Sequence, residues 1–355
     1  MLARILIYTF LFAGYFEFLT GGVDLQLYAG VLITLLGLLQ CELTKQYVYQ
    51  LFGLGLLCWV IYSYEIYIPY NDYANLKARK LIVLMIFAFF SAKLLLKQKS
   101  LEPFVKGLLS CCLLVFLLAV GSVFGLSAKI QNNAIWLSRA TGFFIILNIF
   151  AYLKNKNIIH LIVCAVAAGT ILLLNKWGPI LSLAMLWYFF FYQRLRATSL
   201  YLFYFISLCL FIIAYVKFPE IDSSGRDVLF GIVLSNITEN YFGYGLGYFS
   251  TLTHHRYPHN IFTEIFLEMG VVFLALFIVF IVRFFNTLST YVRKLESEEL
   301  ILASLMLYSF FNTQFSGDLS SPKMFYIFVI YFMIKYKRPA KQKAAAPRVG
   351  SVTES

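Results

Sequence analysis

Apolar stretches separated by short polar breaks repeat along nearly the whole chain. Each is close to, or somewhat shorter than, the roughly 20 residues that an α-helix needs to cross the hydrocarbon core of a bilayer. Reading between the breaks predicts about twelve helical spans, near residues 5–19, 25–40, 47–68, 81–96, 105–125, 134–153, 158–174, 178–193, 200–218, 260–282, 300–315 and 324–336. The pair at 158–174 and 178–193 is short, and reads either as two tilted helices or as one broken hairpin. The first apolar segment has no small-residue cleavage site, so it reads as a first span and not as a signal peptide. The sequence therefore predicts one polytopic domain over residues 1–339, containing a single sizeable polar segment at 219–259. Residues 340–355 are polar and rich in small residues, and a disordered tail is expected there.

Composition assigns a class to this pattern. Of 355 residues, 61% are hydrophobic and 13% charged, with a mean hydropathy of +0.79. A soluble fold of this size needs far more charge on its surface, so an all-α integral membrane protein is predicted. The net charge of +12 does not indicate nucleic acid. The basic residues are spread over short connections and the tail, as the positive-inside rule requires. With the N-terminus in the cytoplasm, the cytoplasmic connections carry Lys97 and Lys99, Lys154 and Lys156, Arg194 and Arg196, Arg283, Arg293 and Lys294, and the tail carries Lys335, Lys337 and Arg338. One loop disagrees: 69–80 places Lys77, Arg79 and Lys80 on the outside. The six cysteines lie in or beside apolar runs and form no ligand motif, so neither a metal nor a disulfide framework is expected.

On this topology the segment 219–259 faces outward. It holds Asp222, Arg226, Asp227, the run Gly243-Tyr-Gly-Leu-Gly247, and three of the four histidines. His259 stands at the mouth of a helix, after Pro258 and before Asn260, which can cap that helix. A neutral imidazole there can take a proton from an acceptor hydroxyl, and the helix N-terminus disfavours its charged form. The alternative is an interfacial histidine that only hydrogen-bonds the loop. Arg226 suits a diphosphate, because its fork bonds two oxygens at once; otherwise it pairs with Asp227 or Asp222. Arg139 lies inside an apolar run, about one turn from its outer end, where a charge either faces a partner or cavity or snorkels outward. Lys176 sits at the next outward turn. These four residues come from four separate segments, and one topology puts them all on the outer face. Three cations and a base describe a pocket for a lipid-linked diphosphate and an incoming hydroxyl. Glu264 and Glu268 are one turn apart and share a helix face, to orient polar groups in a cavity or to pack against another span. The glycine run, with Gly245 at its centre, has no strand–helix unit after it, so flexible backbone over a sugar is expected there and not a nucleotide loop. His160 reads as structural.

The order Gly225-Arg226-Asp-Val-Leu-Phe, then Gly-Tyr-Gly-Leu-Gly, then His259-Asn260 and nine residues to Gly270 resembles the bacterial O-antigen ligase and polymerase family. The resemblance is densest over about 135–275. It implies a GT-C-like polytopic glycosyltransferase of the inner membrane, with its active site facing the periplasm. Its donor would be an undecaprenyl-diphosphate-linked oligosaccharide. Its acceptor would be a second lipid-linked unit for a polymerase, or the lipid A core for a ligase. Carried over, His259 is similar to the general base and Arg226 to the diphosphate-binding arginine. Arg139, with Gly142 and Asn148, is similar to an arginine–glycine–asparagine pattern. Lys176 falls where many members have an arginine. Asn260, Glu268 and Gly245 would support the site. The implied transfer is inverting and uses no metal or other cofactor. Polymerase is the expected activity, ligase the alternative. A transporter or flippase of lipid-linked sugars is the reading from another class.

Overall fold

A computed structural model describes residues 1–12, 24–40, 44–66, 72–125, 134–192, 226–253, 258, 260–315, 319 and 321–336. Within them the chain is all helical. Its helices are α1 (Leu2–Phe12), α2 (Leu25–Gln40), α3 (Lys45–Ile66), α4 (Asp72–Leu96), α5 (Glu102–Val123), α6 (Ala134–Asn155), α7 (Ile159–Leu173), α8 (Trp177–Tyr192), α9 (Arg226–Ile237), α10 (Phe249–Leu252), α11 (Ile261–Tyr291), α12 (Ser297–Asn312) and α13 (Lys323–Lys335). Among the described residues, α5, α6 and α11 are long and apolar enough to cross a membrane, and α1, α2, α7 and α8 contain shorter apolar helices. The predicted span at 200–218 and the tail at 340–355 lie outside the described residues.

α12 is the centre of the bundle. Every residue from Ile301 to Thr313 is buried. A helix that is apolar on all sides has no face to give to water or lipid, so it is enclosed by others; here α13, α8, α6 and α5 enclose it. α1, α2, α3, α4 and α13 build the adjoining wall. The second half of α11 is different: Val271, Val272, Leu276, Val279 and Val282 are exposed, an apolar surface suited to hydrocarbon chains.

One predicted boundary changes. The apolar run expected at 81–96 begins its helix at Asp72, so Lys77, Arg79 and Lys80 are helical and not part of a loop. Lys77 is 1% exposed. The run at 158–174 and 178–193 is two helices, joined by a tight turn in which Asn175 takes a φ of 52°. The polar segment 219–259 contains α9 and α10. Val233 of α9 and Phe249 of α10 bury themselves on Leu267 of α11, with Tyr244 and Tyr248 stacked beside them.

α11 is broken at Gly270, whose φ of 84° and ψ of 175° belong to no helix. That combination is essentially open only to glycine. A Cβ there would collide with the backbone of Phe242. The break leaves carbonyls without helical partners, and the glycine run supplies donors. Tyr244 N–H donates to Leu267 O (2.9 Å) and Gly245 N–H to Glu268 O (2.7 Å), while Val271 N–H donates to Tyr241 O (2.8 Å).

Candidate functional site

Asn260 caps α11 as its position suggests. Its Oδ1 accepts from the N–H groups of Phe262 (2.9 Å) and Thr263 (3.2 Å), satisfying two of the donors that open every helix. Its Nδ2 donates to Gln314 O (3.2 Å), just past the end of α12. Two residues further, Phe262 meets the ring of Phe310 edge-on. His259 itself lies outside the described residues, but its neighbours Pro258 (buried) and Asn260 are placed.

The same end of α12 holds the surroundings of two sequence-predicted cations. The Tyr308 hydroxyl donates to the carbonyl of Arg139 (3.1 Å) on α6. Arg139 is 7% exposed, and its guanidinium lies over the Trp136 ring, 4.8 Å from the centroid. Burial at that depth matches an arginine with a partner, not one that snorkels to water. Phe315 sits so near Gly178 that a Cβ on Gly178 would lie 2.9 Å from it. Gly178 is in the first turn of α8, two residues after Lys176, which is half-buried. Arg139, the neighbourhood of Lys176, and Asn260 are therefore gathered by about two turns' worth of one chain, Tyr308 to Phe315. Arg226 opens α9; its side chain lies outside the described residues.

A second group lies one and two turns along α11. Glu264 and Glu268 are fully buried, and both form ion pairs with Lys77 of α4. Glu264 Oε2 also accepts from Leu319 N–H (2.9 Å), and Leu319 O accepts from the Tyr326 hydroxyl (2.8 Å). The two glutamates share a face, as their spacing requires, and that face meets another helix through one lysine. Gly245 joins this group through its bond to Glu268 O. The glycine run is thus not free backbone: it is wedged between helices. A Cβ on Gly243 would lie 2.6 Å from Gly270 N, and one on Gly247 would lie 2.8 Å from Ala74 Cα of α4. Leu246 packs with Ile61, Ala78 and Leu81.

Sequence reasoning missed Lys77. It was visible as the cation of an otherwise apolar helical face, with Ala74, Ala78 and Leu81 at helical spacing, but the proline and the charges around it favoured a loop. Asn148, similar to a family position, is occupied elsewhere: it donates to Phe144 O (2.9 Å) and pairs with His160 Nδ1 (3.0 Å), joining α6 to α7. At the far end of α12, Glu299 accepts from Tyr331 (3.0 Å), Tyr336 (2.8 Å) and Lys335. Burial opposes its charge, but the hydrogen bonds from Lys335 and Tyr336 and the lysine's charge outweigh burial and hold the carboxyl below its ordinary range. No protein-family model, no curated protein and no solved structure matches the chain.

Proposed function

We propose that this protein is a glycosyltransferase of the bacterial inner membrane that moves a glycan from undecaprenyl diphosphate to an acceptor hydroxyl at the periplasmic face, acting as a repeat-unit polymerase for a surface polysaccharide. One observation carries the reading: Asn260, Arg139 and the first turn of α8 after Lys176 all meet the same end of α12. Residues from distant parts of the sequence that suit one reaction therefore share one neighbourhood. In the reaction His259 takes the acceptor proton, the acceptor oxygen bonds to the anomeric carbon, and the bond from that carbon to the diphosphate breaks with inversion. Arg226, Arg139 and Lys176 hold the departing charge, which makes the diphosphate a good leaving group without a general acid. Asn260 fixes the helix entry beside the base, and Glu268 with Gly245 stabilises the turn behind it. Membrane lipid supplies the surroundings, and the partners are the lipid-linked oligosaccharide and the acceptor glycan.

The test is the glycan made by cells lacking the protein. Single repeat units on the lipid A core are expected. Bare core with accumulating lipid-linked polymer would replace polymerase by ligase, and unchanged glycan length and attachment would overturn both.

A transporter of lipid-linked sugars is favoured by one specific observation: a broken helix with buried charges beside the break, a combination that membrane transporters use to bind cargo. In that case loss of the His259 imidazole leaves transfer chemistry, supplied by another protein, intact.

A further inference from the structure

Asn312, the last residue of α12, is 3% exposed, and among the described residues neither its Oδ1 nor its Nδ2 has a hydrogen-bond partner. The Oε1 of Gln314 is likewise buried without one. The other polar atoms here are engaged: Thr313 Oγ1 donates to Phe310 O (2.6 Å), Gln314 Nε2 donates to the same carbonyl (3.2 Å), and Gln314 O accepts from Asn260. A buried polar atom left unpaired is costly, and native proteins keep few of them. Two such side chains lie two residues apart, at the helix end where the surroundings of Arg139, Lys176 and Asn260 converge. Helical spacing puts Asn312 one turn beyond Tyr308 on the same face, and Tyr308 touches Arg139.

We propose that Asn312, with Gln314, forms a sugar-binding subsite, in which the carboxamides hydrogen-bond hydroxyl groups of the glycan while the cations hold its diphosphate. A carboxamide offers two donors and two acceptor lone pairs, which suits sugar hydroxyls that both give and accept. It carries no charge, so it adds nothing to diphosphate binding, and its contribution is selectivity for the glycan. The inference rests on the glycosyltransferase reading for the identity of the ligand.

The experiment uses the full chain in lipid nanodiscs, with two probes: undecaprenyl diphosphate, and the lipid-linked oligosaccharide fraction extracted from the cells that make the protein. Asn312→Leu keeps the volume and removes the amide. Its affinity for the glycan-bearing lipid is expected to fall about tenfold, the size of one or two hydrogen bonds. Its affinity for undecaprenyl diphosphate is expected to stay unchanged, and its melting temperature to stay level or rise, because a buried amide without partners has been removed. Gln314→Met is expected to act in the same direction. A fall in melting temperature together with loss of both lipids would make the amide structural and overturn the subsite. Unchanged affinity of Asn312→Leu for the glycan-bearing lipid would overturn it as well. Failure of the wild-type protein to bind either lipid would instead overturn the glycosyltransferase reading, and the subsite with it.

Discussion

At one end of α12, Glu299 receives an ammonium and two phenol hydroxyls, from Lys335, Tyr331 and Tyr336, and the lysine remains partly open to solvent at 37% exposure. Beyond the other end, two carboxylates, Glu264 and Glu268, meet one ammonium, Lys77, with all three side chains closed off. The first cluster is balanced and braces α12 against α13. The second joins Glu264 and Glu268 to the single ammonium of Lys77 and braces a helix that is broken at Gly270. Burying ions costs several kcal/mol each, and a pair offsets this only when geometry and further hydrogen bonds are good. The second is found next to the proposed chemistry, where intramembrane charge usually has a task.

Removing the shared ammonium gives the largest effect. Lys77→Met is expected to lower stability by about 3–5 kcal/mol, read by thermal denaturation in detergent. Adding Glu264→Gln and Glu268→Gln to it is expected to restore most of that loss, because the buried charges leave together. Lack of restoration would mean that the lysine acts by packing alone. Gly270→Ala comes next: the backbone angles exclude a side chain and the methyl meets Phe242, so a loss of about 1–3 kcal/mol is expected. The smallest effect belongs to the balanced cluster. Tyr336→Phe removes one hydrogen bond to Glu299 and is expected to cost about 1 kcal/mol. Because Glu299 is held below its ordinary pKa, the stability it contributes is present above that ordinary value and is lost as the pH falls through the lowered one. Acid titration of melting temperature is expected to show a weaker acid-dependent loss in Glu299→Gln than in the wild type.

The helical class was legible because apolar runs of span length leave no other fold for so little charge. The starts of α2, α6 and α13 fell within a residue of where the runs begin. The start of α4 did not, because Asp72 to Lys80 is polar in composition, and only its partners on α11 explain how a lysine is buried there. The cap at Asn260 and the shared face of Glu264 and Glu268 followed from spacing. The wedge made by Gly243 and Gly247 did not, since a glycine run signals permissive backbone equally well whether it is free or packed. Asn312 gave no signal in the sequence: an amide in an apolar run is informative only once its neighbours are known.

Transfer by the purified protein in nanodiscs, given lipid-linked oligosaccharide as donor and acceptor, tests the central claim most directly when wild type and His259→Ala are compared. The account expects the variant to bind donor as the wild type does and to lose transfer by about 100-fold or more, the contribution of a positioned base. Transfer at the wild-type rate by His259→Ala would contradict it.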